Sequence, residues 1–236
     1  MKNYINTNAT YWQSPYNAPY VESFIFRLDG RVLKKYNAYE DKSKFNVLDF
    51  GCGQGSHVKY FEENGFNAYG VDISKHSVEI AKKKLKNSER IKLIEPEANE
   101  NDVFFGEKFD LIVSSQVLYY LSDSQLQKRL ISFKNMLNPN GYVFFTMMSD
   151  KSWYKTWLVE KNQEPEDGLY EVEHTDDIYN KRVNKIINKH YINFTNSKEH
   201  LKEKFQLFKP IEIGDYDLTY NENESEHHYM FFGQLK

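Results

Sequence analysis

The sequence predicts an α/β fold, a mostly parallel sheet held between two helical layers. Strand-like apolar runs alternate with amphipathic helical patterns from Phe45 to Phe145, and this alternation puts parallel strands in one sheet with helices on both faces. The first apolar run feeds directly into glycines at alternate positions, Gly51, Gly53 and Gly55, and a helical pattern follows. The next run ends on an acidic residue, Asp72.

Each element has a local reason. Strand one covers Phe45 to Phe50, and the helix after it runs from Ser56 to about Asn64, closed by Gly65 as the C′ residue. Strand two is Asn67 to Asp72, and Ser74 caps a helix whose apolar stripe is Val78, Ala81 and Leu85. Ile91 to Ile94 and Phe109 to Ser115 are the third and fourth strands. Leu126, Leu130, Phe133 and Leu137 recur at helical spacing, in a helix starting near Ser122 or Asp123. Asn138-Pro139-Asn140-Gly141 should break that helix before strand five, Gly141 to Phe145. Ser197 to Phe208 reads as a helix, with Ile211 to Tyr220 and His228 to Leu235 as a closing hairpin.

The 236 residues suit one domain, organised as an aromatic N-terminal segment (1–42), a core (43–150), an insertion (151–196) and the closing helix and hairpin (197–236). Mean hydropathy is low at -0.74, yet hydrophobic residues are 40% and aromatics 16%, so Lys, Asn and Glu set the average rather than disorder. No 18-residue apolar run exists, which argues against a membrane span, and the start of the chain lacks the apolar core of a signal peptide. The single cysteine, Cys52, allows no internal disulfide and suits a cytoplasmic setting. A net charge of -3 gives no electrostatic reason to hold nucleic acid, and Lys82, Lys83, Lys84 and Lys86 read as one solvated helix face.

A glycine turn between a buried strand and a helix start lets backbone approach a ligand closely, at the carboxyl edge of the sheet. A carboxylate ending strand two can accept hydrogen bonds from both hydroxyls of a ribose. A dinucleotide and S-adenosylmethionine both fit that arrangement. The dinucleotide fingerprint G-x-G-x-x-G needs glycine at position 56, where this chain has Ser56, and its third glycine comes early at Gly55.

The segment Asp49-Phe50-Gly51-Cys52-Gly53-Gln54-Gly55, D-x-G-x-G-x-G, resembles the first motif of class I S-adenosylmethionine-dependent methyltransferases. Gly70-Val71-Asp72-Ile73-Ser74 resembles that family's ribose-binding strand end, Phe109 to Ser115 its fourth strand and Gly141 to Phe145 its fifth, in order over residues 43 to 150. The resemblance implies a Rossmann-like three-layer sandwich with a seven-stranded, mostly parallel sheet whose last strand is antiparallel. It implies S-adenosylmethionine as cofactor. Gly51, Gly53 and Gly55 would then meet its methionine part and ribose, Asp49 its ammonium, and Asp72 with Ile73 the ribose. Asn99, in the loop after strand three, would meet the adenine, and Gln116 would border the cofactor. Cys52 reads as a packed, inert residue.

Residues 1–42 carry Tyr4, Tyr11, Trp12, Tyr16, Tyr20, Phe24, Phe26 and Arg27. Such density fits either a helix packed on the sheet edge or a lid over the cofactor, in which Tyr11 and Arg27 would reach the ligand. The insertion would shape acceptor specificity. His227, His228, Tyr120 and His174 are candidate bases, although each is as simply read as a structural side chain. After strand four the chain reads Ser114-Ser115-Gln116-Val117, without the Asn/Asp-Pro-Pro-Tyr/Phe that grips a planar amide or adenine amine, and no Pro-Cys pair offers a covalent nucleophile. The expected acceptor is therefore an O or N atom of a small molecule, a saccharide or its precursor among them, with no metal, nucleic-acid or membrane partner. Two other readings compete: a catalytically silent S-adenosylmethionine-binding regulatory partner, and a nicotinamide-dependent oxidoreductase.

Overall fold

The strands alternate because their residues must satisfy two cores at once. In a computed structural model, describing residues 4–13, 20–160, 162–173, 189–218 and 225–236, β1 (Asn46–Phe50) sends Val47 to one side of the sheet and Leu48 and Phe50 to the other. One core joins Leu48, Phe50, Ile112, Val143 and Phe145 to Leu126, Leu130 and Phe133. The opposite core joins Val47, Ala68, Val113 and Phe144 to Val58, Phe61, Val78 and Ala81. Fully burying side chains of this size is worth about 1.5–3 kcal/mol each, which is why both faces carry helices.

Seven strands form the main sheet, in the order β3-β2-β1-β4-β5-β9-β8. These are β2 (Asn67–Asp72), β3 (Ile91–Leu93), β4 (Phe109–Ser114), β5 (Leu137–Met148), β8 (Phe208–Tyr216) and β9 (His228–Leu235) around β1. Strands β1 to β5 pair parallel, and β9 runs antiparallel between β5 and β8. The expected fold class is therefore observed. Helices α3 (Ser56–Glu63), α4 (Lys75–Lys84) and α5 (Asp123–Met136) connect the parallel strands, and α6 (Lys198–Lys204) precedes β8. Ser74 and Ser122 cap α4 and α5 by accepting the amides of Ser77 and Gln125, both at 3.3 Å. Lys82, Lys83 and Lys84 are exposed on α4, while Val78 and Ala81 are buried.

Three expectations change. Asn138-Pro139-Asn140-Gly141 does not stand between α5 and the fifth strand: β5 begins at Leu137 and runs through it. The register with β4 shifts between Phe109 and Leu111, Asn140 takes φ 64°, and the Asn138 amide donates to Asp110 at 2.7 Å, so the irregular segment is absorbed in the strand. The closing helix stops at Lys204 rather than Phe208, because Phe208 already pairs with Leu235 in β8. The insertion contains a second, two-stranded antiparallel sheet, β6 (Tyr170–Glu173) with β7 (Lys189–Ile192), which its sequence pattern did not reveal.

The N-terminal segment forms α1 (Tyr4–Gln13) and α2 (Ser23–Arg27), the latter running into a π-helical turn, Leu28–Leu33. Buried Asn8 fixes α1: its Nδ2 donates to the carbonyls of Tyr120 (2.8 Å) and Tyr191 (3.1 Å), and its Oδ1 accepts the Tyr191 amide (2.8 Å). No helix among the described residues is long and apolar enough to cross a membrane.

Candidate active site

The turn after β1 is built by backbone bonds to β2. The amides of Gly51 and Cys52 donate to the Val71 carbonyl at 2.8 and 3.0 Å, lifting the chain over the sheet edge. A Cβ on Gly51 would lie 2.3 Å from Val117, so this glycine answers a close approach. Gly55 likewise faces Ala81 of α4 and Leu85 at its C-cap and serves helix packing. Gly53 differs: at φ +51° it would point a Cβ into open space. Gly53 lines a cavity of about 220 Å³.

Asp72, at the end of β2, accepts the Gly53 amide at 2.8 Å and the Ser74 amide at 2.7 Å. The two bonds fix its carboxylate beside the turn and leave about half of its acceptor sites for a ligand. Burial pushes this carboxyl above the ordinary range, opposed by those amides. Asp49 is more deeply set. Its Oδ2 is buried with no hydrogen-bond partner among the described residues, and His57 Nδ1 lies 3.8 Å away. An unpaired buried carboxylate oxygen is costly, and a ligand ammonium, directly or through water, would relieve it. Cys52 is buried, and burial with the nearby Asp72 and Asp49 pushes its thiol well above the ordinary value, leaving it inert.

The cavity is also lined by Ile73, Ile94, Glu95 and Pro96, and by Gln116, Tyr120, Ser122 and Gln125. The Gln125 Oε1 accepts the Ala98 amide at 2.6 Å, and Arg129, buried against Phe50 and Phe104, donates to Asp102 at 2.8 Å. These bonds moor the loop after β3 to α5. Gln116 sits at φ +59°, in the left-handed region that non-glycine residues seldom occupy, with its amide donating to Thr146 Oγ1 at 2.7 Å. Helix α1 closes the cavity with Tyr4, Ile5, Asn8, Ala9 and Trp12, and Gln13 donates to the Ile73 carbonyl at 2.8 Å.

Of the residues singled out in the sequence, Gly51, Gly53, Asp72, Ile73, Gln116 and Tyr120 converge on this cavity. Asp49, buried in β1, and Gly55, packed against Ala81, are not among the residues that line it. Asn99 does not join them: it is exposed, and its side chain accepts the Asn101 amide. Ile94, Glu95 and Pro96 occupy the wall instead, because the cavity passes nearer the end of β3. Tyr11 is buried against His190, ring centroids 4.3 Å apart, and its neighbour Trp12 takes the lining position. Arg27 is exposed at the end of α2, away from the lining. Tyr119 enters the core, whereas Tyr120 meets Trp12 edge-on at 5.2 Å.

Among the histidines, His57 lines the cavity. His227 lies 3.6 Å from Asp215, and His228 is buried, stacked on Tyr216 with ring centroids 5.0 Å apart. Burial lowers the His228 pKa to about 4. Neither lines the cavity, and His174 and Tyr16 fall outside the described residues. The sequence reading missed Glu22, Ser122 and Gln125, which reach the site from distant segments without any motif of their own.

A family model described as a methyltransferase domain matches residues 22–208. An uncharacterised methyltransferase of Alkaliphilus oremlandii is 28% identical over 126 residues, covering 53% of this chain and 56% of the relative. The chain spans about half the length of the curated relatives it matches first. In structure it resembles an S-adenosylmethionine-dependent methyltransferase from Clostridium acetobutylicum, with TM-score 0.65, 14% identity, and 91% and 92% of the two chains covered. It also resembles the magnesium protoporphyrin IX methyltransferase of Synechocystis, solved with bound SAH, with TM-score 0.56, 12% identity, and 90% and 82% covered. The unpartnered Asp49 oxygen, the open face of Gly53 and the remaining acceptor sites of Asp72 suit the ammonium, backbone contact and ribose of S-adenosylmethionine. The chain belongs to the methyltransferase-domain family.

Proposed function

We propose that the protein is an S-adenosylmethionine-dependent methyltransferase that methylates an O or N atom of a small molecule, a saccharide or its precursor being one such class. The observation that carries this reading is the open face of Gly53 beside Asp72 in a cavity roofed by α1. A sulfonium methyl is strongly electrophilic, so the protein's contribution is placement and exclusion of water. Asp72 and the turn would hold the ribose, Asp49 the ammonium, and Ile73, Ile94 and Pro96 the adenine. Tyr4, Trp12 and Tyr120 would then form an apolar wall around the acceptor, a surface that suits the face of a sugar or an aromatic ring.

Turnover tests it: radiolabelled S-adenosylmethionine incubated with a panel of small hydroxyl, amine and carboxylate compounds should label an O- or N-nucleophile. Binding of S-adenosylhomocysteine by calorimetry without labelling of any compound would favour the silent regulatory partner. Binding of a nicotinamide dinucleotide in its place would overturn the reading.

A further inference from the structure

Glu22 lines the cavity and is not consumed by the cofactor's expected contacts. It stands at the N-cap of α2, yet its side chain makes no capping bond. Its carbonyl accepts the Ile25 amide at 2.9 Å, while its carboxylate has no hydrogen-bond or ion-pair partner among the described residues. A half-buried carboxylate facing a cavity with no hydrogen-bond donor on it is costly unless a ligand supplies one.

The rest of the wall agrees in sign. Glu22, Asp72 and Glu95 line the cavity, and no Lys or Arg does among the described residues. A phosphate or carboxylate acceptor would therefore enter against three acids with no Lys or Arg to pair it, His57 being the one basic side chain among the described lining residues. Tyr4, Trp12, Tyr20 and Tyr120 add aromatic faces, which attract cations. Gln116 adds one more selective group. Its Nε2 donates to the Tyr216 hydroxyl at 3.2 Å, which leaves the amide oxygen as an acceptor for an N–H donor.

Building on the methyltransferase reading, we propose that the acceptor is a small amine, held as its ammonium by Glu22 and the aromatic wall, and that its nitrogen is methylated. Glu22 takes one proton from the bound ammonium and frees the lone pair. The nitrogen forms the new N–C bond as the S–C bond of the donor breaks, with that bond's electron pair remaining on sulfur. The positive charge passes to the product as a methylammonium, and Glu22 returns its proton to solvent. Burial pushes the Glu22 carboxyl above the ordinary range against the pull of His57, the direction that makes it a stronger base.

Three probes of one skeleton test the charge preference: 2-phenylethylamine, 2-phenylethanol and 3-phenylpropionate, titrated by calorimetry into protein saturated with S-adenosylhomocysteine. The amine should bind at least about tenfold more tightly than the other two. Glu22→Gln should erase that preference and Glu22→Asp should keep it, with S-adenosylhomocysteine affinity within about twofold of wild type in both. Equal or tighter binding of the alcohol or the carboxylate, no binding of the amine, or a preference that survives Glu22→Gln would overturn the proposal. If S-adenosylhomocysteine itself fails to bind the wild-type protein, the methyltransferase reading fails first.

Discussion

Gly53 separates a binding role from a folding role more cleanly than any other residue in the turn. In Gly53→Ala the new methyl group would meet no atom within 4 Å, so the only structural penalty is the left-handed backbone at φ +51°. That conformation costs an alanine roughly 1–2 kcal/mol, partly offset by about 0.4–1 kcal/mol from a less flexible unfolded chain. For a chain of this size the melting temperature should fall by about 2–4 °C. Gly51→Ala has the same backbone penalty at φ +79°, and its Cβ would press on Val117 at 2.3 Å, adding about 1–3 kcal/mol of overpacking. Its melting temperature should fall at least about twice as far. Binding should show the opposite contrast. The Gly53 methyl would stand where the cofactor contacts the turn, and the affinity for S-adenosylhomocysteine should drop by about ten- to a hundredfold. Gly53→Val, larger and β-branched, should nearly abolish it. Calorimetry and thermal melts on the same preparations test both halves. A Gly53→Ala protein that binds S-adenosylhomocysteine as tightly as wild type would remove the turn from the ligand site.

Asp72→Ala should weaken S-adenosylhomocysteine binding by about 1.5–3 kcal/mol, since it removes a charge-assisted ribose contact and releases the Gly53 and Ser74 amides; unchanged affinity by calorimetry would exclude Asp72 from the site. Asn8→Ala should cost about 2–3 kcal/mol of helix docking, read as faster hydrogen exchange across residues 4–13, and S-adenosylhomocysteine should protect those residues in wild type; protection confined to the glycine turn and Asp72 would show that α1 only packs. His228 has a folded-state pKa of about 4, below its ordinary 6.5, so its neutral form stabilises the fold. That contribution is complete above pH 6.5 and is lost as pH falls toward 4, a change on the order of 3 kcal/mol; His228→Phe should flatten the slope of urea stability over this window, and an unchanged slope would refute the burial argument.

The glycine turn and Asp72 were legible because their chemistry is local. A strand end, a turn needing positive φ and a following helix cap lie within a few residues, and the sheet order then follows from strand–helix alternation. Glu22, Ser122 and Gln125 were not legible, because no short-range pattern reports that α2 and α5 bring them to one cavity. The aromatic density of the N-terminal segment fitted a helix packed on the sheet edge and a lid alike, and it did not report the helix's phase. One helical step separates Trp12, which lines the cavity, from Tyr11, which packs against His190. Asn138 to Gly141 misled for the converse reason: strong local turn signals yielded to pairing with β4 and to the bond from Asn138 to Asp110.

The three hydrogen bonds of Asn8 have a kinetic corollary. If opening α1 forfeits about 1 kcal/mol for each, the open form is on the order of one molecule in a hundred. Traffic past this helix would be rationed by that fraction, slowing capture and lengthening the stay of whatever is enclosed. Turnover would then be timed by departure of the demethylated donor rather than by bond making, and loosening Asn8 would speed the cycle while weakening the grip.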